Sequence, residues 1–489
     1  MVYEQYKAEI DRYLAENAQA FLDDLDAFLS IPSVSDDKEA VAAALHWCLD
    51  KAREMGLHAS AYVDNQVGII SFGEGDECVG MLAHVDVVTA GDASDWRFPP
   101  YAATVAEGKV WGRGAVDDKG PLLNCLYAMK AVAALGIKPL KRVELILGTQ
   151  EEVSWTDMTA FLDYCEATGH RLPDYAFTPD GEYPIGNREK GYADVKLSFP
   201  VDKCEVCDDV SDDCIAIQSL SGGPTINSVP STARTMLCGD LGFVEKALAA
   251  YLLEHPLKKI AALAIAPGRV EVEARGVAIH SSFPEKGVNA IWELAGFLGT
   301  LPLEGNGVEK TIAFINDISC GDFVGAPFGL DRGMVTVNGE DMHRTMMAIT
   351  QIETHAEKVV LNYNVRQTYG VTRSDLMEGF ALYAGEYHYE VDICDFMEAL
   401  YVDSNRPFIK AMASIYEDNT PWKSHFNLGH GSSYAKALPN TVYWGPVFPN
   451  ESDPSHEANE NVLLENLHLS TRLFAYYLAE LVFSEQSFL

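Results

Sequence analysis

Apolar residues recur at helical spacing from residue 4 to residue 29 and, after a turn at Ile31-Pro32, from about residue 37 to 55, with Gly56 placed to end the second helix. The period then shortens. Runs at 58–63, 67–72 and 78–83 read as strands, a helix spans 121–135 up to Gly136, and a strand at 142–148 precedes a helix from about 155 to 166. Strands alternating with helices predict an α/β domain, a mixed sheet with helices on both faces.

Beyond Gly191 the strand-like runs at 193–199, 215–220, 269–274 and 359–365 are separated by longer connections, with helices near 242–254 and 288–301. This stretch reads as a separate α+β unit. From about Tyr383 a strand at 387–393, a helix at 407–416 and a long helix from 462 resume the earlier style. There is no repeat and no low-complexity segment, so the layout is one domain interrupted by another: 1–187 and 383–489 around an insertion at 188–382.

Of the 489 residues, 48% are hydrophobic and 22% charged, enough apolar surface for most of the chain to fold. The formal charge of −36 narrows the partners, because such a field repels phosphate backbones and anionic lipid. Neither nucleic acid nor a membrane is an expected partner. No run approaches the ~18 apolar residues of a spanning helix. The start, MVYEQYKAEIDRYL, lacks a signal peptide's basic and apolar regions, so a cytoplasmic protein is expected. The ten cysteines are scattered and read as reduced thiols. Cys204 and Cys207 form a C-x-x-C near Cys214, but with no second pair or neighbouring His they read as an incidental acidic loop.

Polar residues gather where apolar runs end. The run 79–83 leads into His84-Val85-Asp86, whose two polar side chains share one face of an extended strand. His84 can ligate a metal while Asp86 fixes its ring, although a His at a strand end, taken alone, is more often a satisfied core or surface histidine. Asp117-Asp118-Lys119-Gly120 stands at a loop-to-helix junction, where Asp is also an ordinary N-cap. Glu151-Glu152 lies just beyond the run 143–147, where α/β sheets bind ligands, or is a solvated acidic turn. Asp180, in Thr178-Pro179-Asp180-Gly181, and His456, in Asp453-Pro454-Ser455-His456-Glu457, each fit a plain turn as well. Together these residues match the inventory of a two-metal hydrolase, in which paired ions share a bridging carboxylate and activate one water. Nitrogen and oxygen donors without thiolates suit Zn²⁺, Mn²⁺ or Co²⁺. A carboxylate beside the ligands can take the water's proton as general base.

Five runs, MLAHVDVV, GRGAVDDKGP, LILGTQEE, FTPDGEYPIGNREKG and FPNESDPSHEANE, resemble in order and spacing the co-catalytic metallopeptidases. That family includes carboxypeptidase G, aminoacylase, carnosinase and succinyl-diaminopimelate desuccinylase; the chain most resembles its PepV-type dipeptidases. The resemblance covers nearly the whole sequence, more loosely in the insertion. It implies that His84 and Asp180 hold one ion, that Glu152 and His456 hold the other, and that Asp117 bridges both, with Zn²⁺ expected first and Mn²⁺ or Co²⁺ as alternatives. It makes Glu151 the general base and Asp86 the residue that orients His84. It further implies a cis Asp117-Asp118 peptide. His456 is the ligand rather than His430 of Gly429-His430-Gly431, because the Gly/Ser stretch matches the family's substrate-cradling loop, with Gly431 and Ser432 at the substrate.

In the insertion, His280 (AIHSSFPEKGVNA), Asn227 (TINSVP) and Arg366 (LNYNVRQ) match positions that touch substrate in relatives. An imidazole can stabilise an oxyanion, and an Arg with an Asn can clasp a free carboxylate. By themselves these residues suggest a capping His, a turn Asn and a strand-surface Arg. Gly431-Ser432-Ser433-Tyr434-Ala435-Lys436 departs from the Gly-Thr and the Arg that relatives commonly carry, which bears on recognition of the carboxylate side. The resemblance implies a monomeric metallodipeptidase acting on small unblocked dipeptides, with 188–382 as a large substrate-binding lid supplying what dimeric relatives take from a neighbour. An amidohydrolase of the same fold, removing an acyl group from an amino acid, shares the metal motifs. A non-catalytic binding homologue is the other class, and the intact Glu151 and five ligands argue against it.

Overall fold

In a computed structural model describing residues 1–201, 215–305, 307–429 and 431–489, the strands and helices sort into two units. The first joins Met1–Arg188 to Tyr401–Leu489, and the second is Glu189–Leu400. The second boundary departs from the expected 383. Strand Glu390–Met397 pairs antiparallel with Tyr192–Pro200 and so belongs to the second unit, because its half-buried alternation fits the edge of any sheet and only pairing assigns it.

The sheet of the first unit runs in the order His58–Tyr62, Val67–Phe72, Arg142–Gly148, Cys78–His84, Tyr175–Thr178, Thr441–Tyr443, Ile185–Glu189, Leu400–Tyr401, with Phe426–Gly429 also on Ile185–Glu189. Cys78–His84, Arg142–Gly148, Tyr175–Thr178 and Thr441–Tyr443 are parallel neighbours, and His58–Tyr62, Val67–Phe72 and Ile185–Glu189 join them antiparallel. Successive residues of Val67–Phe72 point to opposite faces. Gly68 lies under Leu45 and Leu49 of helix Lys38–Glu54, whereas Val67 and Ile69 pack with Met158 and Phe161 of helix Thr156–Thr168. Helices therefore cover both faces. Helix Lys38–Glu54 starts where Asp37 accepts from Ala40 N and ends at Gly56, whose φ of +79° suits the residue expected there. The single helix expected over 4–29 is instead a 3₁₀ turn, Tyr3–Gln5, and two helices, Lys7–Glu16 and Ala18–Leu29. They break at Asn17, whose side chain donates to Tyr13 O at 2.8 Å.

The second unit is an α+β layer pair. Its main sheet has eight strands, all antiparallel, in the order Lys259–Ala266, Arg269–Arg275, Thr232–Cys238, Ala216–Gly222, Met346–Thr354, Lys358–Arg366, Tyr192–Pro200, Glu390–Met397. Their buried residues, such as Val195, Leu197 and Val272, form one core with Ile291, Leu294 and Phe297 of helix Ala290–Leu298 and Leu376 of helix Arg373–Ala381. Cys48, Cys78, Cys125, Cys165, Cys320 and Cys394 are free thiols, but Cys238 is disulfide-bonded, contrary to the expectation of thiols throughout. Sequence spacing does not reveal which cysteines meet in space. Cys204, Cys207 and Cys214 lie outside the described residues. Among the described residues no helix is long and apolar enough to cross a membrane.

One buried cation closes the first unit. Lys141, just before strand Arg142–Gly148, donates from Nζ to Leu481 O, Ser484 O and Gln486 O at 2.9, 2.9 and 2.7 Å, satisfying carbonyls at the end of helix Leu464–Val482. Lys141→Met is expected to lower stability by about 2–4 kcal/mol in urea unfolding, the scale of losing several charge-assisted bonds. A loss below about 0.5 kcal/mol would mean that water replaces the ammonium.

Candidate metal centre

Parallel pairing sets the C-terminal ends of three strands side by side. His84 is level with Gly148 and Met81 with Phe177, so His84, the Glu151-Glu152 turn and Asp180 issue from one sheet edge. Asp117 arrives from the loop before helix Lys119–Ala133, and His456 from the segment before strand Asn461–Leu463.

The side chains converge around Asp117. His84 Nε2 is 3.0 Å from Asp117 Oδ1 and 3.9 Å from Asp180 Oδ2, while His456 Nε2 is 3.0 Å from both Asp117 Oδ2 and Glu152 Oε2. Two groups result that could hold a metal ion, His84/Asp117/Asp180 and Asp117/Glu152/His456, with Asp117 in both. The donors fit divalent ions. Glu152 Oε1 is buried without a hydrogen-bond partner, and every ligand atom of the two groups is an imidazole nitrogen or a carboxylate oxygen. The Asp117-Asp118 peptide is cis.

The electrostatics show a shortage of positive charge. Burial raises the pKa values of Asp180, Glu151 and Glu152, helped by the neighbouring Asp117 carboxylate. Burial opposes protonation of His84, but Asp117 and Asp86 outweigh it and raise its pKa. Hydrogen bonds donated to Asp117 and Glu152 push His456 up to about 11. A cluster that draws protons onto its imidazoles is one in which a divalent cation can take the protons' place.

Asp86 has two tasks. His84 Nδ1 lies 3.0 Å from the Asp86 carbonyl oxygen and 3.4 Å from its carboxylate, so the closer brace of the ring is backbone. The buried carboxylate accepts from Ser35 Oγ at 2.7 Å and from the backbone N–H groups of Glu151 and Glu152 at 3.2 and 3.3 Å, which holds the acidic turn beside His84. Ser432 accepts from Lys436 Nζ at 2.8 Å, Gly431 is exposed, and His430 lies outside the described residues.

The second unit gathers its own candidates. Ser228 pairs with His280 across two short strands, and Asn227 O accepts from Ser281 N at 2.9 Å. Ser281 Oγ and Arg366 Nε both donate to Asn364 Oδ1, at 2.9 and 3.0 Å, linking the His280 strand to Arg366. Arg366 is 6% exposed and stacks over the Tyr192 ring. Partial burial, then the Arg366 charge, lower the pKa of His280.

The sequence matches Peptidase family M20/M25/M40 over residues 80–480. The chain belongs to that family. It is similar to the Beta-Ala-Xaa dipeptidase of Lactobacillus delbrueckii subsp. lactis, 29% identical over 480 residues covering 96% of this chain and 97% of the relative. The fold is that of the di-peptidase Dug1p from Saccharomyces cerevisiae, with a TM-score of 0.60 at 15% identity over 99% of this chain and 100% of the other. It is also that of aminoacylhistidine dipeptidase from Vibrio alginolyticus, with a TM-score of 0.58 at 17% identity over 93% and 95%.

In this M20/M25/M40 peptidase-family chain, a buried ion pair that the sequence left unassigned holds two ligand loops together. Glu460, wholly buried, accepts from Arg113 Nη1 at 2.6 Å and from the N–H groups of Gly114, Val116 and Asp117 at 3.1, 2.8 and 3.2 Å. Arg113 also donates to Thr89 O and Glu457 O. The two charges stand inside GRGAVDD and HEANE, 347 residues apart, so no local pattern pairs them. Glu460→Ala strands a buried guanidinium and three N–H groups, so a stability loss of about 3–5 kcal/mol is expected. The bound metal measured by elemental analysis should fall with it, and Glu460→Gln should do less harm on both counts. Full metal content in folded Glu460→Ala protein would rule out the bracing role.

Proposed function

We propose that this chain is a metal-dependent dipeptidase that hydrolyses the peptide bond of small unblocked dipeptides. The observation that carries the reading is the pair of ligand groups sharing Asp117 at the sheet edge of an M20/M25/M40 family chain. The dipeptidase names of its relatives support the substrate class. His84 and Asp180 would hold one ion and Glu152 and His456 the other, with Asp117 between them; Zn²⁺ suits this donor set, as do Mn²⁺ and Co²⁺. Two such ions, when bound, supply Lewis acidity and lower the pKa of water towards neutrality.

The remaining work belongs to side chains. Glu151, outside both ligand groups and tethered through its backbone to Asp86, takes the proton of the attacking water and passes it to the leaving amine. Asp86 keeps His84 oriented. In the second unit, Arg366 with Asn227 takes the substrate's free carboxylate, and His280 donates to the carbonyl oxygen as negative charge develops there. Gly431 and Ser432 cradle the substrate backbone.

Glu151→Ala is expected to keep both metals yet lose on the order of a hundredfold or more in kcat. Retention of most turnover would remove Glu151 from the role of base. Arg366→Ala should lower kcat/KM for a free dipeptide about ten- to a hundredfold, and much less for the dipeptide amide, which lacks the carboxylate. Equal losses on both would make Arg366 structural. A panel of free dipeptides against N-acylated amino acids, each with Zn²⁺, Mn²⁺ and Co²⁺, tests the reading as a whole. Cleavage of the acylated set alone would make the chain a deacylase.

A further inference from the structure

The acidic turn that carries Glu151 is shaped by side chains outside it. Four consecutive N–H groups leave the end of strand Arg142–Gly148, and each ends on a buried carboxylate: Glu151 and Glu152 on Asp86, Thr149 and Gln150 on Asp157 Oδ2 at 2.6 and 3.1 Å. Asp157, in the first turn of helix Thr156–Thr168, belongs to neither ligand group. The same oxygen accepts from Tyr434 Oη at 2.6 Å, and both residues are wholly buried.

Tyr434 does more than fill space. Its ring meets the His84 ring edge-on at 6.0 Å between centroids and the Trp155 ring at 5.2 Å, and Trp155 Nε1 donates to Glu151 O at 2.7 Å. The ring also lies so close over Gly148 that a Cβ there would come within 2.3 Å of it. Tyr434 opens the 3₁₀ turn that directly follows Gly431-Ser432-Ser433. One side chain thus joins the Gly/Ser loop to the hydrogen bonds that fix the turn.

We propose that Tyr434, acting through Asp157, is a positioning residue for Glu151, so that the seating of the Gly/Ser loop and the aim of the base are set together. This rests on the reading of Glu151 as general base. An O–H···O⁻ bond of this length is charge-assisted and among the stronger kinds, and the orientation of a base is sensitive to small displacements. Tyr434→Phe removes that bond and keeps the ring, so it separates aim from packing.

The test uses the full chain loaded with metal. Tyr434→Phe is expected to lower kcat about tenfold or more, with KM within about twofold and bound metal by elemental analysis unchanged. Asp157→Asn should act in the same direction and carries the test should Tyr434→Phe fold poorly. The double variant should be little worse than the worse single one, because both act through one bond. Unchanged kcat, a rise in KM alone, or fully additive losses would overturn the positioning role. If the unmodified chain cleaves neither dipeptides nor N-acylated amino acids, the functional reading itself fails. If it cleaves them and the variants match it, only the positioning role fails.

Discussion

One carboxylate sets the terms for the first unit. Asp117 faces His84 on one side and His456 on the other, each at 3.0 Å, with Glu152, Asp180 and Glu151 close enough to perturb one another. Two like charges about 4 Å apart in a medium of effective dielectric near 20 repel by about 4 kcal/mol. Several such pairs in one buried place cannot stay ionised without positive charge among them. Protons on the imidazoles meet that need in part; two divalent cations would meet it more fully, and their binding would then be coupled to the folding of this edge, with protons leaving as ions enter.

Charge this concentrated must also be held in place, and the chain does so with carboxylates that ligate nothing. Asp86 fixes the Glu151-Glu152 turn, Asp157 fixes Thr149 and Gln150, Glu460 fixes the loop up to Asp117, and Asp118 accepts from His84 N at 3.1 Å. The first three are buried acids that collect N–H groups from a loop carrying a candidate ligand or base, and Asp118 takes one from the strand end that carries His84. Lys119 adds the opposite tie, donating to Phe28 O and Ile31 O and so anchoring the start of its helix to the N-terminal segment. Tolerances of a few tenths of an ångström require such supports, because loops alone do not supply them.

The parts of this arrangement that were legible in the sequence are those encoded locally. Apolar runs ending in His84, Glu151-Glu152 and Asp180 mark strand ends, and the structure places all three at one sheet edge. What could not be read depends on distance along the chain. Residues 113 and 460 are far apart in sequence, as are 157 and 434, and a buried acid looks the same as a solvated one until its partner is known. Strand Glu390–Met397 joins the second unit for a reason of the same kind, since pairing, not pattern, decides the sheet. The division of the ligands between two ions came from the resemblance; residue spacing alone left each motif open to a plain structural reading.

The charge of −36 bears on substrate choice as well as on partners. At physiological ionic strength its field fades over roughly 8 Å, so it acts on approach and little within a closed pocket. A free dipeptide is a zwitterion and approaches almost unhindered, whereas an N-acylated amino acid carries a net negative charge and is repelled. Capture of a carboxylate must then be a local matter, and Arg366 is suited to it: nearly buried, backed by Tyr192 and oriented by Asn364, it offers a poorly hydrated guanidinium whose attraction bulk water does not screen. On the proposed reading, in which Arg366 takes the substrate's carboxylate, a globally acidic chain with a desolvated local cation would favour small molecules that are neutral overall yet carry a carboxylate, and unblocked dipeptides meet both conditions.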